Sequence, residues 1–214
     1  MSESAPASPA MPDADQRLLS ALLAFVAKHP DPVMGRFKEA VAAWGAGAED
    51  GSWQAVEPAH LPAADFLGQT LSSATDETRP LLALFYDERA SRKWEQSYKK
   101  TDRLVGDDML AGYGFAEVIG KWGPFVSHRV RSGIGVWGPD IDYPLHRHQA
   151  DEVYLVLAGS ADFTVGEAVL ADQAAGATVH VPSLSTHGFS SGPEGVVVFY
   201  IWQDGDLRET SRFS

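Results

Sequence analysis

The chain has 214 residues, 44% of them apolar and 21% charged, the profile of a globular protein with room for one full domain and a smaller addition. Seventeen basic against 29 acidic side chains give a net charge of −12, which repels phosphate backbones and anionic lipid and argues against nucleic-acid or membrane-surface partners. The absence of cysteine excludes disulfides, thiolate metal sites and thiol nucleophiles, and fits a reducing, cytoplasmic setting.

The opening "MSESAPASPAMPDAD" has neither the basic start nor the apolar stretch of a signal peptide, and residues 1–12 read as a disordered tail. Asp13 can cap a helix with Gln16 three positions on, and Leu18, Leu19, Leu22, Leu23 and Val26 recur at helical spacing until "KHPDP" stops them. A second helix is expected from about Val33 to Trp44, closed by "GAGAEDGS". A third is expected from about Pro62 to Ser73. A fourth should begin near Pro80, which suits a first turn, with Leu81, Leu82, Leu84 and Phe85 as its apolar face. No stretch approaches the 18 or more consecutive apolar residues of a membrane span.

Near Tyr113 the texture changes. "GFAEVIG", "FVSHRVRSGIGVW", "DEVYLVLAGSADFTVG", "ATVHVP" and "GVVVFYIW" are short β-branched and aromatic runs with glycine and proline between them, the pattern of an antiparallel barrel or jelly roll. The expected fold is α+β: a helical N-terminal region, residues 13–108, packed on a C-terminal antiparallel β-barrel, residues 109–214. The boundary falls between Lys100 and Tyr113.

Seven histidines are distributed unevenly. His29 and His60 fall at loop-like positions and read as solvated, while His128 and His180 sit in strand-like runs where hydrogen bonds could satisfy them. The stretch "YPLHRHQADEVYLVLAG", Tyr143 to Gly159, is different. Side chains of equal parity share one face of an extended strand, so His146, His148, Glu152 and Tyr154 should all point into the barrel if the run stays extended. Such nitrogen and oxygen donors on one face suit a divalent first-row metal.

These residues resemble the cupin superfamily. Its first motif, G-x5–7-H-x-H-x3–4-E-x6-G, matches Gly138, His146, His148, Glu152 and Gly159, and its second matches Gly176, Pro182 and His187. Leu184 stands where that motif has glycine and Ser191 where it has asparagine, departures that bear on turn geometry more than on chemistry. The resemblance runs from about Gly112 to Gln203. It implies a double-stranded β-helix and four metal ligands, His146, His148, Glu152 and His187. The ion would be one divalent transition metal, Fe2+, Mn2+, Zn2+, Co2+ or Ni2+.

From "YDERASRKWEQSYKK" through "LHRHQADEVYLVLAG" the chain further resembles the bacterial cupin-type dimethylsulfoniopropionate (DMSP) lyases, in their longer, helix-prefixed branch. That resemblance implies Tyr154 as catalytic base, Tyr143 as a second active-site tyrosine contacting substrate, and Trp202 on the substrate pocket. Read on spacing alone, Tyr154 serves core packing or catalysis equally, and Trp202 shares a face with Tyr200 and Val198. Trp137 and Phe199 are further candidates for the pocket wall.

The implied activity is β-elimination of DMSP to dimethyl sulfide and acrylate, by a homodimer whose helical region covers the barrel mouth or builds the dimer interface. Two rival expectations stand beside it. One is another metal-dependent cupin enzyme, such as a small-molecule dioxygenase. The other is a ligand-sensing cupin without catalysis, disfavoured because the helical half lacks a basic recognition face.

Overall fold

The structure is a computed structural model and describes residues 10–45, 52–102, 105–208 and 212–213. The expected tail 1–12 and the loop "GAGAEDGS" fall largely outside those residues.

Four helical segments come first. Helix α1 (Asp13–Lys28) buries Leu18, Leu22 and Val26 along one stripe. Asp13 is its first residue rather than its cap: extended Pro12 takes the cap position without a side-chain bond, and its carbonyl accepts from the Gln16 amide. A 3-10 turn at Pro32–Met34, capped by the Asp31 side chain on the Val33 amide, leads into α2 (Gly35–Gly45). The third expected helix spans residues 62–73 but changes pitch twice. It is 3-10 at Pro62–Asp65, α-helical in α3 (Phe66–Thr70) and 3-10 again at Leu71–Ser73. Helix α4 (Arg79–Glu88) has Pro80 in its first turn, where the missing amide costs nothing.

Strand β1 (Trp94–Glu95) lies within the stretch read from sequence as helical, yet it pairs antiparallel with β2 (Tyr113–Gly120), which follows the short helix α5 (Asp107–Gly112). The remaining strands are β3 (Phe125–Val126), β4 (Val130–Trp137), β5 (Asp142–Arg147), β6 (Asp151–Val165), β7 (Ala168–Ala174), β8 (Thr178–Val181), β9 (His187–Gln203) and β10 (Arg212–Phe213). Among the described residues, all pairings of these strands are antiparallel except the short β2–β3 contact.

Two long strands, β6 and β9, pair with each other along their length and belong to both walls of the barrel. Their outer halves join β4 and β8 in one wall, while their inner halves join β5 and β7 in the other. The corner falls at Gly159 and Gly195, both left-handed at φ +68° and +79°, where a Cβ on Gly159 would strike the Gly195 carbonyl. The fold is thus a cupin-type antiparallel barrel carrying helices on one face, the α+β architecture expected from sequence.

Strand parity divides the core in two. Odd residues of β9, Val197, Phe199 and Ile201, join Val153 and Leu155 of β6 and the even residues Ile134 and Val136 of β4 against the helices. Even residues of β9, Val198, Tyr200 and Trp202, join Tyr154 and Val156 in the barrel interior. One wall is therefore covered on both faces, which explains why "GVVVFYIW" is continuously apolar. Phe199, a sequence candidate for the pocket wall, lies on the helix side, its ring 6.3 Å from that of Phe85 in α4. Both rings are at most 1% exposed. Phe85→Ala should cost about 3–5 kcal/mol through lost burial and an unfilled cavity. Denaturant unfolding should show a lower midpoint at unchanged slope.

The two departures from the cupin motif have different consequences. Leu184 adopts φ +63°, where a Cβ costs about 1–2 kcal/mol, and its amide donates to the His148 carbonyl. Ser191 donates to the Gly138 carbonyl at 2.7 Å and accepts from the Ile141 amide at 2.8 Å, closing the loop that precedes β5.

Candidate metal centre and active-site cavity

The run from His146 to Tyr154 is not one extended strand. β5 ends at Arg147, a bend occupies residues 149–150, and β6 starts at Asp151. The side chains still converge, because a register shift between Tyr143 and His146 in β5 lets both face the cavity, while β6, entering the opposite wall, turns Glu152 and Tyr154 inward. His146, His148 and Glu152 are at most 2% exposed. His187, the first residue of β9, pairs directly with His146 on β5, and Glu152 pairs with Trp202.

One ring nitrogen from each of His146, His148 and His187 lies within 4.8 Å of the others, the arrangement that can hold a metal ion. Each ring is oriented by a main-chain carbonyl. His146 Nδ1 lies 2.9 Å from Pro144 O, His148 Nδ1 3.0 Å from Ala150 O, and His187 Nδ1 2.9 Å from Ser185 O. A carbonyl only accepts, so Nδ1 carries the proton, and in the neutral ring Nε2 is left as a lone pair aimed inward.

Glu152 Oε2 sits 3.0 Å from His148 Nε2 and 3.4 Å from His187 Nε2. Acceptors facing acceptors at that range call for positive charge between them. His146 cannot supply it: burial first, then the charge of His187, pull its pKa to about 3. Burial works against the Glu152 carboxylate, but His148 and His187 beside it outweigh that and hold it at about 2. Three oriented imidazoles and a carboxylate converging on one point fit one divalent cation.

Beside this cluster lies a cavity of about 380 Å3 whose lining includes His146, Glu152, Tyr143, Tyr154, Trp137 and Trp202. Tyr154 neighbours Glu152, and burial, followed by that carboxylate's charge and hydrogen bond, raises its pKa well above the ordinary value. Tyr143 is raised likewise by burial and then by Tyr98 and Tyr113. Tyr143 sits in an aromatic cluster, 4.9 Å from the His146 ring, 5.0 Å from Trp137 and 5.8 Å from Tyr98. It is buried rather than an exposed loop aromatic.

Trp202 is held on both sides. Its ring lies 4.0 Å from that of His148, and the guanidinium of Arg131 stands over it at 4.9 Å. The register explains the Arg131 side, since β4 sets Arg131 opposite Trp202, while His148 reaches the ring from the connection between β5 and β6. Neither face is open to a substrate cation. What remains free is its Nε1, buried and without a partner.

The other histidines stand apart from the centre. His60 and His128 are exposed, and His128 lies in a bend rather than a strand. His29, expected to be solvated, is buried against Phe25 at the end of α1. His180 pairs with Asp151, which also pairs with Arg36 of α2 and so ties the helices to the barrel beside Glu152.

Sequence reading did not single out Arg131, Glu117 or Tyr98. A signal existed for the first: Arg131 shares parity with Trp137 in β4, so a strand with Trp137 inside must turn a charge inward too.

Against known proteins, the dimethylsulfoniopropionate lyase family model matches residues 39–198, three-quarters of the chain. The chain belongs to the DMSP lyase family. The DMSP lyase DddQ of Ruegeria pomeroyi is 25% identical over 155 residues, covering 72% of this chain and 76% of that one. DddW of the same organism, also a DMSP lyase, is 37% identical over 68 residues, 32% of this chain and 44% of its own. A chain from the crystal structures of the DMSP lyases RdDddP and RnDddQII aligns with a TM-score of 0.80 at 27% identity, over 94% of this chain and 97% of that one. The crystal structure of Ruegeria pomeroyi DddQ aligns equally well, at TM-score 0.80 and 24% identity over 95% and 98%, and shows the shared fold.

Proposed function

We propose that this member of the family cleaves DMSP to dimethyl sulfide and acrylate, with Tyr154 as the base. The observation that carries the reading is a tyrosine beside a buried His3Glu cluster, in a cavity whose wall is aromatic. DMSP has a carboxylate at one end and a sulfonium at the other. Tyr154 takes the proton α to the carboxylate, the C–H electron pair becomes the C=C bond, and the C–S pair leaves with neutral dimethyl sulfide. Tyr143 orients the substrate and shares the proton with Tyr154. Trp137, Tyr143 and Tyr154 line the cavity, and an aromatic face suits a sulfonium that has no hydrogen-bond donors, at about 0.5–2 kcal/mol per ring.

A divalent ion held by His146, His148, Glu152 and His187 would supply Lewis-acid stabilisation of the developing charge and draw Tyr154 toward phenolate. Fe2+, Mn2+, Zn2+, Co2+ and Ni2+ all suit such donors. Among the described residues no helix is long and apolar enough to cross a membrane. We extend the reading to a cytoplasmic homodimer, which cell fractionation and analytical ultracentrifugation test.

Purified protein given DMSP in a sealed, oxygen-free vial should release dimethyl sulfide and acrylate in equal amounts, read by gas chromatography of the headspace and by NMR. Turnover that requires oxygen would replace the lyase by a dioxygenase. Absence of both products, with the metal bound, would leave a binding protein.

A further inference from the structure

We propose that Arg36 of α2 is a positioning residue for the metal centre: through Asp151 it fixes the backbone from which His148 and Glu152 reach the ion. The inference rests on the metal centre of the lyase reading and not on its substrate or reaction. Arg36 lies in the helical half and does not line the cavity, yet its guanidinium forms an ion pair with Asp151, the first residue of β6.

Asp151 stands between two ligand candidates. The carbonyl that orients the His148 ring belongs to Ala150, so the Ala150–Asp151 peptide holds one of them, and the next residue along the chain is the other, Glu152. A rotation of this peptide would disturb His148 and Glu152 together, whose side chains lie 3.0 Å apart. What the Asp151 side chain touches therefore decides how firmly both are presented.

That side chain is only 7% exposed, and a carboxylate taken out of water depends on fixed partners. Arg36 of α2 meets Oδ2, and His180 of β8 lies with Nε2 3.2 Å from each oxygen. A carboxylate only accepts, so this Nε2 carries the proton. Arg36 is held in turn. Gln203 of β9, opposite Asp151 in the ladder, accepts from Arg36 Nε at 3.0 Å and donates to the Arg36 carbonyl at 3.2 Å, in the amide orientation that its neighbours dictate. Phe37, the next residue of α2, meets the His180 ring edge-on at 6.1 Å.

The barrel secures the rest of the connection between β5 and β6. The Leu184 amide donates to the His148 carbonyl at 2.9 Å, and Ser183 Oγ donates to the Gln149 carbonyl at 2.6 Å. Arg36 adds the hold of the helices, which gives the helical half a task beyond covering the apolar wall. Without it the Asp151 carboxylate is left to His180, and the start of β6 can shift.

Cobalt reports this without recourse to turnover. Wild type, Arg36→Met, Arg36→Lys and Phe85→Ala would be loaded with Co2+, with affinity read by competition against a chromophoric chelator and ligand geometry by the visible absorption of the bound ion. Arg36→Met should weaken Co2+ binding about tenfold, the low end for a group behind a ligand, and shift its absorption bands. Arg36→Lys, which keeps the charge without the planar fork, should recover part of the affinity. Phe85→Ala lowers stability in the same helical half, but its ring packs on Phe199 and not on Asp151, so it should bind Co2+ as wild type does. Wild-type affinity and absorption in folded Arg36→Met would overturn the proposal, and so would an equal loss in Phe85→Ala. If Arg36→Met does not fold, Asp151→Asn takes its place, since it keeps the shape and removes the charge that Arg36 holds. Wild-type Co2+ binding in that variant would overturn the proposal equally. Wild type that takes up no Co2+ would remove the metal centre and the proposal with it. Arg36-dependent Co2+ binding without dimethyl sulfide release would sink the lyase reading and keep the proposal.

Discussion

Replacing Tyr154 by phenylalanine should lower kcat for dimethyl sulfide release by about 10²–10⁴-fold, the usual contribution of a positioned general base. The substitution removes one hydroxyl and keeps the ring, which packs 5.6 Å from Phe163 and 6.1 Å from Phe189. The fold should therefore stay intact, and so should the metal, since the three histidines hold their own main-chain contacts independently of Tyr154. Metal content by mass spectrometry together with kcat decides the matter. Full metal with lost turnover supports Tyr154 as base. Full metal with near-normal turnover removes it, and Tyr143→Phe becomes the variant to measure.

Without a cation, burial and the Glu152 carboxylate both hold Tyr154 in its neutral form. A neutral phenol deep in a barrel is a poor base. If Tyr154 does act as base, metal binding and basicity belong to one device, and chelating the metal should suppress turnover even where the substrate still binds.

The parity of "YPLHRHQADEVYLVLAG" led to the right side chains by an incomplete route. It treated His146 to Tyr154 as one extended strand, whereas the chain turns at residues 149–150 and enters the opposite wall. The convergence survived because a register shift in β5 turns His146 inward as well as Tyr143, and β6 in the opposite wall turns Glu152 and Tyr154 to meet it, a property of barrel closure and not of the local stretch. The same reasoning put Trp202 and Tyr200 on one face of β9, as found. It did not show that both faces of Trp202 are covered, because Arg131 approaches from β4 and His148 from the connection between β5 and β6, both distant in sequence.

The helical half was legible in its apolar spacing but not in its contribution to the cavity. Gln96 donates to the carbonyls of Leu110 and Tyr113, and the amides of Ser97 and Tyr98 donate to the Tyr113 hydroxyl. Those bonds draw a polar, unpatterned stretch onto the cavity wall and bring Tyr98 against Tyr143. Hydrophobic periodicity carries no trace of them.

His148→Ala should abolish both metal binding and turnover, the broadest loss expected of any single substitution here. His148 is the ligand candidate with the closest approach to Glu152, at 3.0 Å, and it is buried between that carboxylate and the Trp202 ring. Truncation removes one of three converging nitrogens and the support beneath Trp202, and takes from the buried Glu152 carboxylate its closest imidazole, leaving the longer 3.4 Å contact to His187 and the Tyr154 hydroxyl. A buried charge stripped of its partner costs about 3–5 kcal/mol, so the variant should also unfold at lower temperature. His148→Gln, which keeps volume and a polar tip, separates the effects by recovering part of the stability without the metal. Purified His148→Ala that retains one ion per chain and near-normal dimethyl sulfide release would show that the centre is not where activity resides.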